Sequence, residues 1–127
     1  MPARITTANG EPRPVRTAQQ TWANGVTAAT APTLNIVGKV VQIETKGVCA
    51  DEALTWTVTI TTSNGATLFT KVSIPEGATV YDTESSKGTL DADFNPFYAT
   101  GVVTITITPS GDPGASGATF DLVLTIV

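Results

Sequence analysis

Apolar and polar residues alternate most regularly over residues 54–61. Leu54, Trp56, Val58 and Ile60 are separated by single threonines, so every apolar side chain falls on one face of a β-strand. A one-residue shift in pairing would expose this whole apolar set, so the inner face is strongly specified. The pattern therefore predicts that Trp56, Val58 and Ile60 lie in the core and that the intervening threonines face outward.

A turn signal follows this strand and predicts a β-hairpin over residues 54–74. Asn64-Gly65 tolerates the positive φ angles of a tight type I′ turn and stands between two β-prone runs. In the return strand, residues 66–74, we expect Leu68, Val72 and Ile74 to face inward and Phe69 to face outward.

Other stretches repeat the β pattern at shorter length. Strands are predicted at residues 36–43, 78–82, 102–108 and 119–127, and Val103, Ile105 and Ile107 are expected to face inward. We also predict a loop at residues 46–52 and an aromatic patch at residues 94–98 that closes one end of the core. A long amphipathic helix is not predicted. The fold class is therefore all-β, an antiparallel β-sandwich or jelly-roll-like domain over residues 34–127.

Residues 1–33 are predicted to be an extended N-terminal assembly arm. Four prolines and two Asn-Gly pairs interrupt this stretch, and its apolar residues show no sustained period. Residues 17–23 could form one or two helical turns, with Thr17 as the N-cap. Trp22 is then either an anchor inserted into a partner or a side chain that folds back onto its own domain.

Charge is distributed unevenly along the chain, whose formal net charge is −4. Residues 1–33 carry three arginines, Arg4, Arg13 and Arg16, against one glutamate, while the remainder carries four lysines against ten carboxylates. We therefore expect these arginines, together with Trp22, to bind an acidic partner surface.

Composition removes several classes of function. The chain has no histidine and one cysteine, Cys49, so the usual general base, the nucleophilic dyads and a disulfide are all absent. Only 14% of residues are charged while 41% are hydrophobic, which describes an unusually neutral surface, typical of a packed assembly. We predict a non-enzymatic protein without a cofactor, with Cys49 as a buried, idle thiol.

Metal, nucleic-acid and membrane sites receive little support from the sequence. Asp91, Asp93 and Asn95 match the first three ligand positions of a calcium loop, but Pro96 and Val102 stand where glycine and a bidentate acid are needed. The acidic body is a poor match for a polyanion, and no apolar run reaches the roughly 20 residues that span a bilayer. No signal peptide is visible.

The body resembles small structural proteins of tailed-bacteriophage virions, in particular head decoration (cement) proteins with a β-sandwich body. The resemblance rests on the run WTVTIT at residues 56–61 leading into Asn64-Gly65, and on GVVTITI at residues 101–107 followed by a Gly-rich loop and the terminal strand. The N-terminal arm has no counterpart in this resemblance.

The resemblance implies a protein that binds the outside of a phage head, often as a trimer, and stabilises contacts between subunits of the major capsid protein. It also implies a final place on the capsid surface, while the lack of a visible signal peptide predicts synthesis in the host cytoplasm. Bacterial Ig-like modules share the same threonine-rich strands, so a carbohydrate-binding or adhesion module remains an alternative. Within the class of virion proteins, a phage tail or neck component is a further alternative. An exposed row of aromatic residues would favour the module, because sugars stack on rings.

Overall fold

A computed structural model of the chain describes residues 12–83 and 96–127, which form eight β-strands. The strands are β1 (Arg13–Arg16), β2 (Gln20–Trp22), β3 (Thr33–Cys49), β4 (Thr55–Thr62), β5 (Thr67–Pro75), β6 (Thr79–Thr83), β7 (Phe97–Pro109) and β8 (Ala118–Ile126). All pairings between these strands are antiparallel. The predicted all-β, antiparallel class is confirmed. Within the described ranges there is no helix that could cross a membrane.

The strands form one sheet that curls around a single core. Its order is β1-β8-β3-β7-β4-β5, with β2 also on β8 and β6 also on β3. Residues 33–40 of β3 pair with β7, whereas residues 42–49 pair with β8. The long strand β3 therefore joins the half of the sheet that contains β7 to the half that contains β8. The register shifts between Val40 and Gln42, where β3 passes from one half to the other.

Aromatic side chains from both halves of the sheet meet in the core. Trp56 of β4 lies 5.2 Å from Phe120 of β8 and 6.3 Å from Trp22 of β2, measured between ring centroids. The three side chains are 2% exposed or less. Gly47 of β3 faces the Trp56 ring, and a Cβ added there would lie 2.3 Å from a ring atom, so only glycine allows this close approach.

The inner face predicted for the first hairpin strand is confirmed. Trp56, Val58 and Ile60 are 1%, 0% and 0% exposed, and the threonines between them are accessible to solvent. Val103, Ile105 and Ile107 of β7 are buried in the same way, as their alternation predicts.

The predicted type I′ turn is wrong. Gly65 has a φ of 89°, but Asn64 does not share it, because Ser73 is the only non-glycine residue with positive φ in the described ranges. The amide of Gly65 donates to the carbonyl of Thr62 at 2.9 Å, and the amide of Thr62 donates to the carbonyl of Ala66 at 2.9 Å. This is a type I turn completed by a left-handed glycine, the usual three-residue hairpin loop.

The inner face predicted for the return strand is also partly wrong. Val72 is 61% exposed, because a bulge that includes Ser73, with φ 58°, shifts the register between Val58 and Trp56 of β4. Phe69 and Lys71 pair with the buried Ile60 and Val58 and so lie on the inner side, whereas Ile74 is buried as predicted. A bulge reverses the alternation beyond it, so periodicity alone assigned these residues to the wrong faces.

Two boundaries around β3 and β7 differ from the prediction. Residues 46–49, predicted to begin a loop, continue β3 and pair with β8, and Lys46 also pairs with β6. Strand β7 begins at Phe97, within the predicted aromatic patch; Phe97 is half-buried against the core, but Tyr98 is 72% exposed. Phe94 lies outside the described residues.

The described part of the predicted arm is attached to its own sheet. Strands β1 and β2 pair with β8 along Arg13–Arg16 and Gln20–Trp22, and Thr17, between them, donates its amide to Leu122. The helical turns predicted over residues 17–23 are therefore wrong. The physical reason is that the outer edge of β8 offers unpaired N–H and C=O groups, which a second strand satisfies.

Candidate interaction surface

The described residues offer little material for catalysis or metal binding. They contain no group of three or more His, Cys, Asp or Glu side chains placed to hold a metal ion. The incomplete calcium-loop residues Asp91, Asp93 and Asn95 lie outside the described ranges. Cys49 is 5% exposed and its thiol donates to the carbonyl of Pro113 at 3.2 Å, which confirms the predicted buried, free thiol.

One ion pair lies inside the sheet and connects its two halves. Lys71 of β5 donates from Nζ to Oδ1 of Asp82 in β6, and the Asp82 side chain is 1% exposed. The second carboxylate oxygen, Oδ2, is buried and has no hydrogen-bond partner among the residues that the structure describes. A buried carboxylate of this kind is retained only with a charged partner, so the pair serves the structure of the core.

Loops at one end of the sheet are held together by carboxylates. Asp112 accepts hydrogen bonds of 2.9 Å from the backbone amides of Gly114 and Gly25, and Asp51 accepts one of 2.6 Å from Ser116. The amide of Gly114 first, and that of Gly25 second, lower the pKa of Asp112 below its ordinary 3.8, because both stabilise the charged form. These contacts fix the loop after β7 to the loops after β2 and β3.

The most distinctive surface is the outer side of β5, β4, β7 and the first half of β3, which we call the threonine face. Threonines occupy neighbouring positions on all four strands, and none of them is buried: Thr55, Thr57, Thr59 and Thr61 of β4, Thr67 and Thr70 of β5, Thr100, Thr104, Thr106 and Thr108 of β7, and Thr33 of β3. Directly paired residues share a face. The register accordingly forms continuous rows, one of which is Thr67, Thr61, Thr104 and Thr33.

Exposed apolar side chains extend the threonine face along β7 and β3. Tyr98, Val37 and Val102 are 72%, 63% and 49% exposed and lie on adjacent strands, since Val37 pairs with Thr100 between the other two. Val72, in the β5 bulge, is 61% exposed. Among the described positions of this face the one charged side chain is Lys39, which pairs directly with Tyr98 at one end of the face. A contiguous neutral surface with large exposed apolar groups is typical of an interaction site.

A cleft borders the threonine face at its apolar end. It has a volume of about 460 Å³ and is lined by the β4–β5 turn on one side and by residues 98–103 of β7 on the other. The cleft gives this end of the face a concave region in which a partner side chain could fit.

The opposite outer side, formed by β1, β8, the second half of β3 and β6, is charged. Arg16 and Glu44 lie on either side of Val123, and Lys46 pairs directly with Asp121. Gln19 donates to Asp121 at 3.1 Å. We call this side the charged face. Its mixed charges are those of an ordinary solvated protein surface.

The predicted partner-binding residues are separated by the structure. Arg13 and Arg16 are exposed on β1, and Arg13 donates from Nη2 to the carbonyl of Val37 at 3.1 Å. Trp22 is 2% exposed and its indole N–H donates to the carbonyl of Ala28 at 2.8 Å, so it fills the core of its own chain, the second of the two alternatives. It is therefore not free to anchor in a partner. Arg4 lies outside the described residues.

Sequence reasoning did not find the threonine face, although part of its signal was present. The outward threonines of residues 55–61 and 104–108 are visible as alternation within each strand. Which strands lie side by side, however, depends on long-range pairing that one sequence does not reveal. The row across four strands appears only once β7 is placed between β4 and β3.

Comparison with known proteins assigns no family. No family profile matches the chain, and no curated protein is similar to it in sequence.

Solved virus structures show a partial likeness of fold. They include an infectious bursal disease virus VP2 subviral particle (TM-score 0.44, 14% identity), the Gx strain of that virus (0.42, 14%) and its T13 viral particle (0.41, 15%). Each likeness covers 99% of this chain but only 38%, 36% and 35%, respectively, of the other. Likeness at this level leaves the family and the function of the chain unassigned.

Proposed function

We propose that the chain is a non-enzymatic structural subunit of a virus particle, and specifically a decoration protein that binds the outside of a phage head through its threonine face. The observation that carries this proposal is the composition of that face, which is uncharged except at one end and bears four exposed apolar side chains. Burying such a surface requires no charge to leave water, so its desolvation is inexpensive compared with that of the charged face.

The sequence resemblance to phage decoration proteins points to the same class of function and supplies the identity of the partner, the major capsid protein. A sugar-binding module is less well supported. In the described ranges the aromatic side chains that are mostly exposed, Tyr81 and Tyr98, lie on different faces of the sheet, and both tryptophans are buried. A carbohydrate site would need aromatic rings side by side.

The N-terminal segment is a second proposed contact. Arg13 and Arg16 are exposed on β1 at the edge of the sheet, where they could meet carboxylates of an adjacent capsid subunit. Such contacts at the rim of an interface mainly affect the association rate and its salt dependence. We therefore assign attachment chiefly to the threonine face and orientation to the arginines.

Electron microscopy of native particles tests the proposal directly. Particles purified from cells that produce this chain should carry additional density of its size at symmetric positions on the head. Density restricted to the tail or neck would reassign the chain to that component. Absence of the chain from purified particles would overturn the virion assignment.

A rebinding experiment tests the surface itself. Particles stripped of the chain are incubated with the parent protein, with Thr59→Lys on the threonine face, or with Thr125→Lys on the charged face. Both threonines are half-exposed and lie within strands flanked on both sides. Thr59→Lys should abolish rebinding while Thr125→Lys retains it, and equal rebinding by the two variants would exclude the threonine face as the attachment surface.

A further inference from the structure

The threonine face could be covered by a capsid subunit alone, or it could first be covered by another copy of the chain. We infer that its occupant in the isolated protein is the same face of a second copy, which makes the chain a symmetric dimer. The biological use of such a dimer rests on the proposed function. The dimer itself is argued only from the chemistry, charge and area of the threonine face.

The first argument is chemical self-complementarity. A threonine hydroxyl both donates and accepts a hydrogen bond, whereas a carboxylate only accepts and an ammonium only donates. A face of eleven threonines can therefore satisfy its polar groups against an identical face, and the threonine methyl groups pack with Val37, Val72 and Val102. A symmetric interface requires this kind of match, because the same patch is used on both sides.

The second argument concerns what the alternative contact between copies would bury. If the threonine face of one copy packed on the charged face of another, Arg16, Glu44, Lys46 and Asp121 would be removed from water opposite hydroxyls and methyl groups. Uncompensated buried charges are strongly unfavourable. Face-to-face packing of two threonine faces leaves two charged side chains near the interface, Lys39 and the Arg13 that donates to the carbonyl of Val37, and both lie at one end of the face.

The third argument is the available area. Along β7 the face runs from Tyr98 to Thr108, about 33 Å at a rise of about 3.3 Å per residue. It is two strands wide where β3 flanks β7 and three strands wide where β4 and β5 do, at about 4.8 Å per strand. The projected area is thus roughly 400 Å² per copy, or about 800 Å² in total, which is below the size of a stable specific interface. The expected dimer is therefore a weak, reversible one.

Sedimentation velocity of the full chain tests the inference. The parent protein should show a reversible monomer–dimer equilibrium. Thr59→Lys places two like charges across the interface and should weaken the dimer by at least about 30-fold. Thr125→Lys on the charged face adds the same charge and should leave the equilibrium unchanged. A parent that stays monomeric up to its highest soluble concentration overturns the inference, and so does equal dimerisation of both variants.

Cross-linking gives a second measurement that does not depend on introducing a charge. Thr104 lies near the centre of the face, so Thr104→Cys should be joined to its counterpart by a short bis-maleimide, giving covalent dimers. Thr125→Cys should give none, and the native Cys49 is too buried to react. Covalent dimers from both variants, or from neither, would contradict the inference.

The outcomes separate this inference from the proposed function. If the parent is monomeric but Thr59→Lys blocks rebinding to particles, a capsid subunit occupies the face, and only the dimer is refuted. If the parent dimerises through the threonine face but is absent from particles, the dimer is supported and the virion assignment is refuted.

Discussion

The two outer faces of the sheet cover the same core but present different chemistry to the surroundings. On the charged face, Arg16, Glu44, Lys46 and Asp121 alternate with threonine and valine across β1, β8 and β3. On the threonine face the corresponding positions of β4, β5 and β7 hold threonine or exposed apolar residues. Both faces are equally regular β-sheet, so secondary structure does not cause the difference.

The contrast shows that charge distribution, not fold, separates the two surfaces. Mixed charges keep a surface soluble and discourage association, and a protein that worked as a free monomer would gain from having them on both sides. Their absence from all but one end of the threonine face, together with Tyr98 at 72% exposure and Val37 at 63%, is the basis for the proposal that the protein associates through this side.

Replacing the central tryptophans should give the largest effect on stability, and it tests whether the two faces share one core. Trp56 belongs to the half of the sheet that carries the threonine face and Trp22 to the half that carries the charged face, with their rings 6.3 Å apart. Trp56→Ala and Trp22→Ala should each lower the free energy of unfolding by about 3–5 kcal/mol, because each leaves a large cavity. Chemical denaturation of the isolated chain measures both values.

Trp22 is the more informative of the two variants. A tryptophan that anchored in a partner would leave the stability of the isolated chain almost unchanged when removed. If Trp22→Ala unfolds at the same denaturant concentration as the parent while Trp56→Ala does not, the N-terminal segment is not part of this core. Val26→Ala, at an exposed residue in the connection after β2, provides the control for that segment.

Breaking the Lys71–Asp82 ion pair should have the next largest effect, because the pair joins the two halves of the sheet. Lys71→Ala leaves the Asp82 carboxylate buried without its cation and should cost about 2–4 kcal/mol, less than a fully buried pair because the Lys71 side chain is 28% exposed. Thermal unfolding at neutral pH gives the measurement.

A double variant distinguishes the pair from simple loss of packing. Lys71→Met combined with Asp82→Leu removes both charges at similar volume, and it should recover most of the lost stability. If the double variant were less stable than Lys71→Ala, the ion pair would not be the cause. A Lys71→Ala variant as stable as the parent would show that water reaches the Asp82 carboxylate.

Sequence periodicity predicted the parts of the fold that local rules determine. The alternation around Trp56 and Ile105 identified two core strands and their inner faces, because a period of two has only one register that buries all the apolar residues. The all-β class followed from the repetition of such strands. These features need only neighbouring residues in the chain.

The remaining features depend on contacts between distant residues. Val72 was assigned to the wrong face because the bulge that includes Ser73 reverses the alternation, and nothing in the local pattern marks that bulge. Residues 13–22 looked like a free arm because their strands are short and interrupted, yet β8 supplies the hydrogen bonds that hold them. The threonine face, likewise, exists only through the order of β5, β4, β7 and β3.

The smallest expected effect is a pH dependence at the loop end of the sheet, where an exposed carboxylate holds loops that belong to neither face. The amides of Gly114 and Gly25 lower the pKa of Asp112 below 3.8, so folding favours its charged form. The resulting stabilisation is fully present above pH 3.8 and is lost as the pH falls through the lower pKa of the folded state.

Asp112→Asn should therefore be less stable than the parent at neutral pH, and this difference should shrink in acid. Melting temperatures of both proteins between about pH 7 and pH 2 measure the difference, with Glu52→Gln as the control for loss of one negative charge at the same end. A difference between parent and Asp112→Asn that stayed constant over this range would show that the two amide contacts do not hold the carboxylate in solution.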